Sequence, residues 1–163
     1  MGMIYAARAL SSVELRELRA DPSLVHRLIA EQTADPRMSL DLDKAWHGIH
    51  VLLTGNHGEV DSDDPLDLAI LGGTPIGEDV GFGPATLLTP GQVKAVAAAL
   101  REVPRQTMLA RYDPEAFTAA QVYPAIWDEE DVLDGYLVPY LEDLLAFYRQ
   151  AAVRGHAVLQ MLA

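Results

Sequence analysis

Asp43, His47, His50 and Thr54 are the residues whose types and spacing best suit chemistry. The segment from Asp41 to about Thr54 has the pattern of a helix. Leu42, Ala45, Trp46, Ile49, Leu52 and Leu53 form its apolar stripe, and Gly55-Asn56-His57-Gly58 stops it. On that helix the four polar residues share a strip beside the stripe, with Trp46 at the seam, since positions three, four and seven apart lie on one face. Such a strip suits a carboxylate-oriented imidazole base or two or three ligands of a borderline metal. His47-x-x-His50 lacks the second-ligand signature of a zincin helix, and the chain has no cysteine, so no metal and no cofactor is expected. A structural alternative stands beside these chemistries. His50 is then a core-edge histidine bonded to backbone, Asp43 and Lys44 dress the first turn, and Trp46 belongs to the core.

A second candidate is the glycine loop Gly77-Glu78-Asp79-Val80-Gly81-Phe82-Gly83. Backbone amides in such loops cradle phosphates. Here Thr86 stands where a dinucleotide fingerprint needs a third glycine or alanine, and Glu78 and Asp79 oppose an anion, so a structural turn is the simpler reading. Asp61-Ser62-Asp63-Asp64-Pro65 resembles a calcium loop only superficially, because it has proline at its fifth position and lacks the required glycine. Asp128-Glu129-Glu130-Asp131 reads as a solvated helix entry that can also face a basic partner. None of the five serines sits in a nucleophile elbow or a Ser-x-x-Lys pair.

These groups must be positioned by alternating strands and helices. Met3 to Leu10 reads as a strand, followed by a helix that Ser11 caps and Asp21-Pro22 ends. A second helix starts at Ser23 with Leu24, Val25, Leu28 and Ile29 inward, and Asp35-Pro36 closes it. Asp64-Pro65 opens a short element through Leu71, helical or extended, and after the glycines a strand is predicted at Ala85-Leu88. Thr89-Pro90 starts a helix through Val103, Arg105 to Tyr112 and the segment after Asp113-Pro114 are helical, and Leu137 to Arg154 is a long amphipathic helix ended by Gly155. Ala157 to Leu162 is a closing strand.

Several strings of this order resemble the YfbM-like family, a bacterial domain of unknown function (family 1877). They are Leu40-Asp41-Leu42-Asp43-Lys44-Ala45-Trp46-His47-Gly48-Ile49-His50, Leu53-Thr54-Gly55, Ala69-Ile70-Leu71-Gly72-Gly73, the Gly77 to Pro84 loop, Leu88-Thr89-Pro90, Arg111-Tyr112-Asp113-Pro114 and Ile126-Trp127-Asp128. The resemblance covers essentially residues 1–163 as a single domain. It implies a compact three-layer αβα-type α/β fold with a small central sheet and about six helices, and it implies no reaction. Thr86 replaces an arginine expected after Gly83-Pro84-Ala85, which weakens any anion-clamping role for that loop.

Composition narrows the function classes. The 163 residues suffice for one core without staples. Twelve basic against twenty-four acidic residues give a formal charge of −12, which disfavours nucleic acid and anionic membrane surfaces. No stretch approaches the roughly 20 apolar residues of a membrane span. Without cysteine, disulfides and thiolate chemistry are excluded, and a reducing, cytoplasmic setting fits. Two functions remain. One is a protein-binding or regulatory module, for example of immunity type, with a basic protein partner. The other is a small-molecule-binding protein or enzyme whose pocket, near the Asp43–His50 helix, is lined by Trp46, His50, Tyr112 and Trp127 with Glu78 or Asp79 assisting.

Overall fold

The first strand and the last are the centre of the sheet. In the computed structural model, which describes residues 2–31 and 35–163, β1 (Tyr5–Leu10) pairs antiparallel with β5 (Ala157–Leu162) from Tyr5↔Leu162 to Leu10↔Ala157. Ile4 and Ala163 extend the ladder with two further backbone bonds of 2.7 and 2.9 Å. Outside β1 lies β2 (Ser39–Asp43), and outside β5 lie β4 (Ala85–Leu88) and β3 (Thr74–Ile76), giving a five-stranded antiparallel order β2-β1-β5-β4-β3.

Both faces of this sheet are covered, so its central strands are apolar on both sides rather than alternating. On one face lie α1 (Ser12–Ala20) and α2 (Val25–Ala30), packing Leu15, Leu18, Val25 and Leu28 onto Leu10, Leu87, Ala157 and Leu159. Ser11 closes a capping box with Glu14 at the start of α1, as the sequence predicts. The opposite face carries α3 (Trp46–Thr54), α4 (Pro65–Leu68), α5 (Pro90–Glu102), α6 (Arg105–Ala110), α7 (Pro114–Ala119) and α8 (Val138–Val153). Their inner residues join Tyr5, Ala7, Ala9 and Val158 in the larger core. The architecture is thus the three-layer αβα α/β fold expected, with eight α-helices among the described residues rather than about six.

The count of about six, which the resemblance implies, is exceeded by helices of four to six residues, each started by its own proline or Asp-Pro: α6 and α7 are predicted from that punctuation, and α4 resolves as helical the element left open between helix and strand. A π-helical turn, Leu133–Leu137, leads into α8. No helix among the described residues is long and apolar enough to cross a membrane.

One boundary departs from the sequence reading in a way that matters for the site. Residues 41–43 are not the first turn of a helix but the end of β2, whose Ser39-Leu40-Asp41-Leu42-Asp43 alternates exposed and buried side chains. The strand has a bulge opposite Tyr5/Ala6 and ends at Asp43, which lies in the left-handed region with φ 46°. The chain then turns into α3, which starts at Trp46 and stops at Gly55, where φ is 72° and a left-handed residue is required.

Candidate functional site

Because β2 ends at Asp43, the strip predicted across Asp43, His47, His50 and Thr54 does not exist as one surface. Asp43 is on a strand end and accepts a hydrogen bond from the Tyr136 hydroxyl at 3.0 Å. Burial, reinforced by this carboxylate, pushes the Tyr136 phenol well above its usual pKa. Thr54 Oγ1 bonds back to the His50 carbonyl at 2.9 Å, one turn earlier.

The two histidines of α3 have opposite surroundings. His47 Nδ1 accepts the Tyr123 backbone N–H at 3.0 Å, so its proton sits on Nε2, which donates to the His57 carbonyl at 3.1 Å. Both ring nitrogens are occupied, and burial lowers the pKa. His47 also stacks on Trp46, with centroids 5.1 Å apart and planes 9° from parallel. Trp46 in turn donates to the Met3 carbonyl at 3.0 Å and is a buried core residue.

His50, one turn on, is 1% exposed and neither of its nitrogens has a hydrogen-bond partner. Its Nε2 lies 3.5 Å from Oδ1 of Asp67, which is also buried and also unpartnered at that atom. Asp67 Oδ2 accepts the Asp61 N–H at 3.0 Å. Desolvation lowers the His50 pKa against the opposing pull of Asp67, so burial favours the neutral imidazole.

Asp67 belongs to α4, and α4 is the centre of a buried polar knot absent from the sequence reading. A four-residue helix cannot bond its own last carbonyls. Gln160, from β5, donates to the Leu68 carbonyl at 3.0 Å and the Gly72 carbonyl at 2.7 Å. Tyr148, from α8, donates to the Ala69 carbonyl at 2.6 Å, and Tyr5, from β1, reaches Gln160 Oε1 at 2.7 Å. The signal for Gln160 was available: it is the single polar residue in the apolar run 157–162. Arg111 does similar work for α3, donating to the carbonyls of Leu52 and Leu53 at its C-terminus.

The remaining candidates are spread over other elements. Trp127 is buried, donates to the Val122 carbonyl at 2.6 Å, and packs edge-on to Phe117 and Tyr112. Its close approach to α3 needs Gly48, where a Cβ would stand 2.7 Å from the indole. Glu78 and Asp79 are exposed on the β3–β4 loop, and Asp79 Oδ1 already accepts the amides of Gly81 and Gly83 at 2.7 and 3.1 Å. Those amides are therefore turned onto the loop's own carboxylate rather than toward a ligand. Trp127 lines a hollow of about 530 Å³ shared with Tyr123 and Asp128, which Trp46, His50 and Tyr112 do not line.

A different hollow collects acidic groups. About 490 Å³ in volume, it is lined by Glu129, Glu130, Asp131 and Tyr136, with Lys44, Pro124 and Ile126 at its sides. The three carboxylates are exposed and enter no ion pair among the described residues. Tyr136 joins this hollow to Asp43 through its hydroxyl. Through Tyr136 the candidate Asp43 is thus linked to residues 129–131 of the acidic segment, although no periodicity connects them, while Asp128 lines the hollow beside Trp127.

Comparison with known proteins agrees with the fold. A sequence model of the family described as "Domain of unknown function (DUF1877)" matches residues 1–161. A crystal structure of YfbM from Escherichia coli, described as a protein of unknown function, superposes with a TM-score of 0.77 at 21% identity. The match covers 99% of this chain and 100% of that one. At this identity the likeness speaks for the fold alone. No curated protein matches the chain.

Proposed function

This chain belongs to the DUF1877 family, a domain to which no function is assigned, and from that premise we propose that it acts as a binding module of regulatory type with a basic protein partner. One observation carries this reading: Glu129, Glu130 and Asp131 line a single hollow, exposed and in no ion pair among the described residues, against one cation, Lys44, at its side. A lysine or arginine side chain entering the hollow would meet three carboxylates and the face of Tyr136, an arrangement suited to a charge-assisted contact. The net charge of −12 adds long-range steering of a basic protein and disfavours nucleic acid. An immunity-type role, neutralising a basic protein by occupying it, belongs to the same chemistry. A cytoplasmic location goes with the reading, supported by the cysteine-free composition.

Catalysis at the α3 histidines has less support. His47 has both nitrogens occupied by backbone groups, and His50 is only 1% exposed, so neither presents a free ring nitrogen to solvent in this conformation. The test is capture of a partner from cell lysate on the immobilised protein and on the variant Glu129→Gln/Glu130→Gln/Asp131→Asn, at low and raised salt. Asparagine tolerates the left-handed backbone of residue 131, where φ is 60°. A basic protein retained at low salt, released by raised salt and lost by the variant is the expected outcome. Capture that ignores both salt and the three substitutions sinks the proposal.

A further inference from the structure

We propose that the groove between α5 and α8 binds a small amphiphilic anion, an alkyl chain ending in a carboxylate. The groove is about 500 Å³, within the range of small-molecule sites. Its apolar wall is Ala97 and Leu100 from α5 with Leu145, Ala152 and Val153 from α8. It exists because two wall positions are alanine. Ala97 and Ala152 stand where a leucine on either helix would fill the space between them. Val153 is 79% exposed, the most exposed of the large hydrophobic residues among those described.

The rim is what selects the ligand. Lys94, Arg101 and Arg149 line the same groove, no carboxylate lines it, and none of the three enters an ion pair among the described residues. Their placement follows from helix spacing: Lys94, Ala97 and Arg101 are three and four residues apart on one face of α5, while Leu145, Arg149, Ala152 and Val153 do the same on α8. In a chain with twice as many acidic as basic residues, three unpaired cations around one apolar groove form a local field opposite to that of the whole molecule. Guanidinium groups take carboxylates with two parallel hydrogen bonds, and the apolar wall takes the tail.

Size argues for a small ligand rather than a macromolecule. Eight residues line the groove, whereas a stable protein interface engages about 20–30 residues a side. The acidic hollow between Lys44 and Tyr136 shares no residue with the groove, so the two proposals stand or fall separately.

The experiment is calorimetric titration of the protein with octanoate and decanoate, against decyltrimethylammonium, which has the same tail and a cationic head. Saturable binding of one carboxylate per chain is expected, tighter for decanoate, with the ammonium weaker by about tenfold or more. Ala152→Leu, at a partly exposed position, fills the groove, and Arg101→Gln/Arg149→Gln removes head-group partners. Each should weaken decanoate by about tenfold or more while the circular dichroism spectrum stays native. The inference is overturned by silence from both carboxylates, by equal affinity for the two head groups, or by decanoate binding that survives both variants. A concentration-dependent dimer abolished by Ala152→Leu would also overturn it, by giving the groove to a second copy of the chain.

Discussion

The two faces of the sheet bury polar groups in opposite ways. Under α1 and α2, Arg8 projects from β1 and is nearly buried, yet its guanidinium donates to Glu14 at 2.5 Å, to Glu31 at 3.2 Å and to the Leu28 carbonyl at 2.9 Å. That layer is two short helices thick, so both carboxylates reach the cation while keeping contact with water. Under the six-helix layer water is out of reach. There the polar groups are neutral or backbone, Tyr5, Tyr148 and Gln160 on the carbonyls that end α4. One ionisable pair, His50 and Asp67, faces across 3.5 Å without closing a hydrogen bond. Thickness of the covering layer thus decides whether a buried polar residue is answered by charge from the rim or by neutral groups of the core.

The largest effect should come from the thick face. Gln160→Leu removes the side-chain donor to the buried Leu68 carbonyl, one of two donors to the Gly72 carbonyl, which Thr86 also serves at 2.7 Å, and the nearer acceptor of the Tyr5 hydroxyl. At about 1–3 kcal/mol for the buried Leu68 carbonyl left unsatisfied, with the weakened bonds of Gly72 and Tyr5 added, a loss of about 3 kcal/mol is expected, read from the urea midpoint at constant slope. Arg8→Met on the thin face keeps volume and removes the charge, and its freed carboxylates return to solvent. About 2 kcal/mol is expected, below the cost of breaking a fully buried pair. If Arg8→Met proved the more damaging of the two, the contrast between the faces would be wrong.

The smallest effect is at His50 and is seen best in its pH dependence. A lowered folded pKa means that the unfolded chain takes up the proton first. Stability is therefore complete above the unfolded value of about 6.5 and falls as pH drops below it, and Asp67 and His47 are the neighbours that bear on the shift. His50→Leu should change stability at neutral pH by no more than about 1 kcal/mol, because it exchanges an unpartnered imidazole for an apolar group of similar size. Between pH 6.5 and 5 the variant should lose less than the parent, with the residual slope coming from His47 and His156, whose pKa values are also lowered by burial. Parallel pH profiles for the two proteins would show that His50 makes a hydrogen bond in solution.

Much of this was readable residue by residue. Ser11, Thr89, Asp113 and Gly155 mark helix ends through bonds or dihedral preferences that involve residues within one turn, and all four act where expected. The burial of Leu42, Ala45, Trp46, Ile49, Leu52 and Leu53 followed from apolar spacing even though two of these residues precede the helix. The candidate site was less readable. Asp43, His47 and His50 looked like one strip only while residues 41–43 were helical, and the two-residue alternation of Ser39 to Asp43 was the competing signal. Strand β3, three residues long and containing Pro75, has too little pattern to stand out from the glycine-rich loop around it.

By itself, then, the sequence determined where helices start and stop, that both terminal segments are strands, that the chain can bury a core without disulfides, and the sign of its surface field. Each of these is local, or a sum over residues that needs no coordinates. The tertiary structure alone decided that β1 and β5 meet at the centre of the sheet, that Gln160 serves carbonyls 88 and 92 residues away, and that His50 faces Asp67. It alone gathered Lys94, Arg101 and Arg149 around one groove, because α5 and α8 are adjacent only after both have packed on the same face. Hydrogen-bond partners and charge neighbours at such separations are set by which elements pack together, and no period of 2 or 3.6 residues reaches that far.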